Sequence, residues 1–460
     1  MESIWTKTVQ IPERKRAEGS LEREIAVIGA GMTGILTAYR LQQMGKQVVV
    51  LEADRIAGGQ TKNTTAKITS QHGCFYQKLI SDIGIKNARL YARANQEAID
   101  AYEKMAAELG AACDFVRLPS YLYSTGNEEC LKKEAAAAVS VGIDAEFVKE
   151  TELPFPVAGA VRFSKQAQFH PLKFISAAAE GLEIYENTPV KRVRKNVIYF
   201  DGGTVTAQKI IVATHYPIIN FPGMYFMRQH QERSYVLALS QCPKLQGMYY
   251  SADPDGLSFR SAQNLLLFGG NSHRTGKKVQ GGAYNDLRES AKKYFPKNRE
   301  VCCWSAQDCM PHDGVPFVGK YYYGQRNRFV ATGYQKWGMT SSMAASLLLS
   351  DLASGRQSIY EKVFTPQRRR VKAAAGSLMQ DMAESVKGLA QGWIFPYSKS
   401  EGDEQKHWTR CSHMGCRLKW NPDEQTFDCP CHGSRFTADG ELLDEPATCC
   451  LKKRQVGNRK

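Results

Sequence analysis

Apolar and polar positions divide the chain into segments of recognisable period. In "REIAVIGAGMTGILTAYRLQQMGKQVVVLEADR" an apolar run from Ile25 to Ile28 meets a glycine-rich turn; a helix-patterned stretch follows, and a second apolar run ends at Glu52. Short apolar runs bounded by turn residues predict strands, so the order is strand, tight turn, helix, strand. Farther on, residues 81–154 are helix-rich, and "RSYVLALS" and "NLLLFGG" read as strands. "RFVATGYQKWGMTSSMAASLLLSDLASG" predicts a strand ending at Gly333 and a helix starting near Met339. A further helix is expected from Pro366 to Gln391, which leaves only "SKSEGDEQKHWTR" before a last segment dense in cysteine and histidine.

A chain of 460 residues with 43% hydrophobic residues can bury two or three cores. No run approaches the ~18 apolar residues needed to cross a bilayer, and the first twenty residues lack the apolar centre of a secretory signal. A cytoplasmic location without a membrane span is therefore expected. The net charge of +15 raises nucleic acid as a partner, yet no nucleic-acid motif appears, and a solvated basic surface is the expectation. Basic stretches at "RRRVK" (Arg368 to Lys372) and "LKKRQVGNRK" offer docking points for an acidic electron-transfer protein. Thirteen cysteines without an export signal argue for metal or redox chemistry over a disulfide framework, and six of them follow position 410.

The glycine-rich turn carries dinucleotide chemistry. Gly29 permits the turn, Gly31 lets a pyrophosphate approach the backbone, and Gly34 lets helix and strand pack closely. The helix N-terminus, at Met32 and Thr33, supplies N–H groups for the phosphates, and Glu52, 18 residues past Gly34, is placed to accept ribose hydroxyls. The Gly/Thr-rich loop "ADRIAGGQTKNTTAKIT", which contains Thr61, departs from the regular alternation of a nicotinamide-binding domain.

This order, completed by "DCMPHDGVPFVG" and the late strand and helix, resembles the FAD-dependent D-amino-acid oxidase family, the glycine and sarcosine oxidase group, over residues 22–357. The resemblance implies an α/β (α+β) fold in which the late helix returns to the flavin. Gly333, Lys336, Gly338, Met339 and Thr340 are then expected at FAD, with Val190 beneath the adenine. It implies a discontinuous Rossmann-type FAD-binding domain (1–80, 155–220 and 305–365), an inserted substrate domain (81–154 and 221–304) and a helical linker (366–405). Arg260, His273 and Arg274 lie in a stretch that resembles the strand pair roofing the flavin, where a cation would clamp a substrate carboxylate. Polar residues exposed at a hairpin end are the equal alternative. Cys74 and Cys309 read as inert thiols rather than flavin tethers.

The last segment, "CSHMGCRLKWNPDEQTFDCPCHGSRF", holds Cys411 and His413, fifteen intervening residues, then Cys429 and His432. Two thiolates and two imidazoles on separate loops are the ligand set of a Rieske [2Fe-2S] centre; a Cys/His zinc knuckle is the rival. The "CxHxGC" and "CPCHGS" motifs resemble Rieske proteins, which implies a disulfide between Cys416 and Cys431 and a small all-β domain at 406–460. Ser434 matches the family serine that donates to a sulfide. Phe436 stands where high-potential members carry a tyrosine, and the usual "GPA" reads Glu445-Pro446-Ala447. Little chain precedes the first ligand, so the base of the domain is expected to be truncated.

The combination resembles bacterial FAD-dependent oxidoreductases with a C-terminal Rieske domain, as do "SIW" at Ser3 to Trp5, "VATHYP" at Val212 to Pro217 and "KWGMTS" at Lys336 to Ser341. It implies an enzyme that oxidises an amine or amino-acid-like small molecule by hydride transfer to flavin, with single electrons leaving through the cluster. Two alternatives stand beside it: a reductase or monooxygenase fed through the cluster, and a non-catalytic electron-transfer protein.

Overall fold

The computed structural model describes residues 2–277, 280–368, 386–391 and 410–451. The strand Gly19–Ile28 is the centre of an eight-stranded sheet, paired in parallel with Gly203–Val212 on one side and Val48–Leu51 on the other. Arg328–Thr332 and Glu183–Tyr185 extend the sheet in parallel, and Phe317–Lys320 closes one edge antiparallel. The uninterrupted apolar run has a direct cause. Ile25 and Val27 enter a core with the helices Met32–Gln43 and Gly338–Ala353, while Ala26 and Ile28 enter a second core on the opposite face. Helix and strand touch where Gly34 packs: a Cβ there would lie 1.9 Å from the Gly29 carbonyl oxygen.

A second, nine-stranded sheet roofs the first. Gln229–Ser240 pairs antiparallel with Leu265–Arg274 and with Arg299–Pro311, and Ser258–Ala262 completes the hairpin read in the sequence. The helices Tyr76–Glu108 and Glu128–Ser140 accompany this sheet, the former kinked at left-handed Gly84 (φ 75°). Sheet membership shifts the expected boundaries. Lys67–Ile68, Gly159–Gln168 and all of Arg299–Pro311 belong to the roof, whereas the resemblance implies a dinucleotide domain at 1–80, 155–220 and 305–365. Strands of either sheet carry similar apolar patterns, so sheet membership is not written in the period.

The C-terminal module is a four-stranded antiparallel sheet of three-residue strands, Lys419–Asn421, Thr426–Asp428, Arg435–Thr437 and Leu442–Asp444. Its core is made of cysteines as much as of hydrocarbon: Cys411, Cys416, Cys429 and Cys431 pack with Leu418, Phe427 and Phe436. The α/β class, the Rossmann-like first domain and the small β-rich end agree with the sequence reading. Of the linker expected at 366–405, residues 386–391 are helical, whereas Pro366 to Arg368 form a turn rather than a helix start. The remainder lies outside the described residues. Arg368 leaves the basic surface altogether: its guanidinium is buried against the Asp313 carboxylate at 2.6 Å and donates to Pro316 O. Residues 369–372 and 452–460 lie outside the described residues. Among those described, no helix is long and apolar enough to cross a membrane.

Candidate functional site

A cavity of about 350 Å³ opens between the two sheets. On its lower side the backbone does the work. Gly31 begins the helix Met32–Gln43, whose first amide, Met32 N, donates to Thr61 Oγ1 at 3.0 Å. A Cβ built on Gly31 meets only that Thr61 oxygen, at 3.4 Å, so glycine here is not required by the protein's own packing. It leaves a helix N-terminus open to a phosphate. Glu52 lines the same wall and accepts from Ala30 N at 2.6 Å and Asp54 N at 3.0 Å; burial raises its carboxyl above the ordinary value. Each carboxylate oxygen keeps a further acceptor position for a hydroxyl. These features fit the ADP half of a dinucleotide.

On the upper side the roof sheet presents charged and polar side chains. Lys67 Nζ donates to Ser258 Oγ at 2.8 Å, and burial, reinforced by Arg260, pulls the Lys67 ammonium down to about 7. Lys336 donates to Ser272 Oγ and pairs with Glu232 at 3.3 Å. Burial pulls Lys336 down, but Tyr250, Glu232 and Asp308 outweigh it and leave the ammonium raised. Asp308, also in the lining, is pushed up to about 7 by burial against the opposing pull of Lys336. Trp337 stacks on His72 at 5.1 Å and meets Tyr250 edge-on.

Of the residues read as cofactor-binding, Gly29, Gly31, Met32, Thr33, Glu52, Thr61, Val190, Lys336, Gly338 and Met339 line the cavity. Gly34, Gly333 and Thr340 lie behind it. Gly34 packs on Gly29, Gly333 faces Gln229 and Pro311, and Thr340 Oγ1 exchanges two hydrogen bonds with the Thr69 backbone. The three substrate-side candidates do not reach the lining. Arg260 is buried, donating to Gln168 Oε1 at 2.7 Å, to Phe169 O at 2.9 Å and to Thr65 O, with its plane over Trp5. His273 stacks on Tyr235 at 5.6 Å. Arg274 donates to Pro430 O at 3.1 Å and Cys431 O at 3.0 Å, turned toward the C-terminal module. Cys309 is buried beside His215, and Cys74 lies 3.3 Å from Cys130 on an outer helix; neither lines the cavity. Lys67 and Asp308 were missed, although each falls in a stretch the sequence reading singled out. They stand on strands at opposite ends of the roof sheet's order, and both line the cavity.

In the C-terminal module the free Cys411 and Cys429 thiols share a hydrogen bond. Their contact, with the amides of His413 and Met414, holds Cys411 down at about 7 and drives Cys429 up. His413 N–H points at Cys411 Sγ, 3.5 Å away, and the two imidazole rings stand 5.1 Å apart at 88°. His413 Nε2 lies 3.0 Å from Asn220 Oδ1, an acceptor, which puts the ring proton on Nε2. Its Nδ1, buried and without a hydrogen-bond partner, keeps a lone pair for a metal. Two thiols and an inward imidazole nitrogen suit an iron–sulfur centre. Cys416 pairs with Cys431 (Cα–Cα 6.6 Å), and Phe226, just before the roof strand Gln229–Ser240, meets both imidazoles edge-on.

The module is seated on the roof by buried contacts. Arg233 donates to Ser305 Oγ at 3.2 Å and ion-pairs with Glu424, which also meets Arg435 at 3.1 Å. Burial would raise Glu424, but the two guanidiniums hold it low. Gln231 Nε2 donates to His432 O at 2.9 Å and Glu445 O at 2.8 Å; Gln307 Nε2 donates to Gly433 O at 2.9 Å. Gly433 (φ 92°) permits this approach, since a Cβ would lie 2.6 Å from Gln231. Gln60, beside Thr61, donates to Asp444 Oδ1 at 2.8 Å. The stretch from Leu442 to Asp444, with Glu445, Ala447 and Thr448, forms part of the cavity wall.

A dinucleotide cavity of this build, walled in part by a Cys/His iron–sulfur module, defines a flavin-dependent oxidoreductase coupled to a Rieske centre. Comparison with known proteins agrees. The FAD dependent oxidoreductase (DAO) family model matches residues 24–352 and the Rieske [2Fe-2S] domain model residues 383–455. The chain belongs to the DAO family of FAD-dependent oxidoreductases and carries a C-terminal Rieske domain, which decides against the zinc reading. YhfW of Bacillus subtilis (strain 168), named for a Rieske 2Fe-2S centre, is 35% identical over 98% of this chain and 97% of its own length. Two solved structures share the fold. Glycine oxidase from Geobacillus kaustophilus covers 76% of this chain and 99% of its own, at TM-score 0.65 and 20% identity. L-proline dehydrogenase from P. horikoshii covers 76% and 98%, at TM-score 0.63 and 17% identity.

Proposed function

We propose that the protein oxidises an amine or amino-acid-like small molecule at FAD and passes the electrons singly through its Rieske centre to an acceptor protein. When bound, FAD accepts two electrons as a hydride and can release them one at a time, and a Rieske centre carries one. The observation that carries the reading is the shared wall: the stretch that lines the FAD cavity at Leu442 to Glu445 is tied to the cluster loop through Ala447 N and Ser434 Oγ, 3.0 Å apart.

The residues divide the work. Gly29, Gly31, the amides of the helix beginning at Met32, Glu52 and Val190 hold the dinucleotide. Cys411, Cys429, His413 and His432 hold the cluster, and the Cys416–Cys431 disulfide ties its loops. In the roof, the Lys67 ammonium pairs with a substrate carboxylate, and Lys336, fixed by Glu232 and Ser272, closes the same side. The names glycine oxidase and L-proline dehydrogenase support an α-amino acid or a secondary amine as substrate.

The test is anaerobic mixing of holoprotein with a panel of amino acids and secondary amines. One of them should bleach the flavin absorbance and bring up the reduced-cluster EPR signal. If none bleaches the flavin, while an external donor reduces the cluster before the flavin, electrons enter through the cluster and the proposal is wrong.

A further inference from the structure

The stretch between the last cluster strand and Ala447 faces two cofactors. On the cluster side, Ala447 N donates to Ser434 Oγ at 3.0 Å. On the cavity side, Asp444, Glu445, Ala447 and Thr448 are lining residues. The stretch between them is pinned from outside the module by Gln231 and Gln60 and from within it by Arg435. Gln231 Nε2 holds Glu445 O at 2.8 Å, and Gln60 Nε2 and Arg435 Nη1 each hold the Asp444 carboxylate at 2.8 Å. With its own carbonyl and the Asp444 carboxylate held, Glu445 is placed in the cavity wall.

We infer that Glu445 is an FAD-contacting residue supplied by the cluster module, reaching across the docking surface to the ADP half of the cofactor. The inference rests on FAD occupying this cavity. The location follows from the cavity lining, which Glu445 shares with Glu52, the residue assigned to the ribose end. Burial, with Asp444 and Glu52 adding to it, pushes the Glu445 carboxyl up to about 8. At neutral pH the group is then largely a neutral hydrogen-bond donor, suited to an oxygen of the ADP moiety, whereas Glu52 opposite it is an acceptor. Position 445 carries a carboxyl where this stretch lines the cavity, beside the carbonyl that Gln231 holds. Seating the module and retaining FAD become linked events.

The experiment uses full-length protein stripped of flavin but retaining its cluster, titrated with FAD and, separately, with ADP. Wild type, Glu445→Met and Glu445→Gln are compared, with visible and EPR spectra of the cluster recorded on the same samples. Glu445→Met keeps the length and loses the donor, so both ligands should bind about tenfold more weakly, as for one lost neutral hydrogen bond. Glu445→Gln keeps a donor and should stay within about threefold of wild type. Cluster spectra should be the same in all three. FAD binding by Glu445→Met at wild-type affinity, or weakening seen only where the cluster spectrum is also lost, would overturn the inference. If wild type itself takes up neither FAD nor ADP, the cavity assignment fails before the inference is reached.

Discussion

The floor and the roof of the cavity hold their ligands by different means. The floor uses backbone: Gly31, the helix N-terminus at Met32, and amides locked to Glu52 and Thr61. The roof uses side chains, with Lys67, Lys336, Asp308, Ser258 and Ser272 projecting from strands and turns far apart in sequence. A backbone grip recognises what every FAD shares. A side-chain grip can be changed one residue at a time without disturbing the fold, and so the proposed function puts substrate choice there.

The sharpest way to break the floor is Gly31→Val. The protein's own atoms leave room for the first added carbon, which meets only Thr61 Oγ1 at 3.4 Å, so the chain should fold and keep its cluster. FAD retention should be abolished, because the valine occupies the approach to the pyrophosphate. Flavin and cluster absorbance of the same purified sample decide it, and full flavin occupancy would refute the floor assignment.

Next in size is the joint between roof and cluster module. Arg233 is completely buried and meets Glu424 and, at 4.0 Å, Asp444. Arg233→Met leaves Glu424 buried with Arg435 as its cationic partner and Ser305 as a hydrogen-bond donor. Removing one member of a buried ion pair costs about 3–5 kcal/mol, and the lower end is expected because Arg435 still compensates. Chemical unfolding followed by cluster absorbance should show this loss. A change under about 1 kcal/mol would mean that the joint does not hold the module.

How legible each region was follows from the same distinction. The floor could be read because its chemistry is compressed into one turn, Gly29 to Gly34, and one acid at the end of the next strand. The cluster ligands were legible for the same reason: two short loops with fixed spacing. The roof was not. Arg260, His273 and Arg274 were chosen by residue type near a hairpin, but the strand directs Arg260 into a buried network with Gln168 and Phe169. The hairpin end carries Arg274 to the Rieske loop instead of the flavin. Lys67 enters the cavity only because Lys67–Ile68 pairs with Gly159–Gln168 in the roof, about a hundred residues away, and no local period records that pairing. Docking, likewise, was unreadable: Gln231, Gln307 and Gln60 are ordinary polar residues until the fold lines them up against Gly433, Glu445 and Asp444.

Lys67 tests the roof at smaller cost. A charge-assisted hydrogen bond contributes about 1.5–3 kcal/mol, so Lys67→Met should raise KM for a carboxylate-bearing substrate about tenfold to a hundredfold with kcat less affected. In wild type the ammonium is lost as pH rises through about 7, so KM should climb above that pH, and in Lys67→Met the climb should vanish. Stability carries the opposite sign. Between about 7 and the ordinary lysine value of 10.5 the unfolded chain holds a proton that folded Lys67 lacks, so stability increases with pH across that window. The Met variant should lack this slope in pH-dependent unfolding. A KM profile unchanged by the substitution would move the substrate carboxylate away from Lys67.

The smallest expected effect lies in the cluster module, where the comparison becomes one between two positions beside the same centre. Ser434 is fully buried, with its hydroxyl 3.0 Å from Ala447 N; Phe436 is equally buried, in the core that holds Cys411 and Cys429, and offers no hydrogen bond. Hydrogen bonds to cluster sulfur favour the reduced, more negative form. Phe436→Tyr should therefore raise the cluster midpoint potential and Ser434→Ala should lower it, each by less than the fall produced by His413→Cys, which exchanges a neutral ligand for a charged one. The tyrosine must find a sulfur acceptor in a core that is otherwise hydrocarbon, because a buried hydroxyl left without a partner would cost about 1–3 kcal/mol of stability. Potential and unfolding midpoint thus report on the same event. A raised potential with stability nearly kept means the hydroxyl has reached the cluster. An unchanged potential with stability lost means that position 436 faces only hydrocarbon, and that the alignment of this strand with high-potential Rieske proteins is out of register.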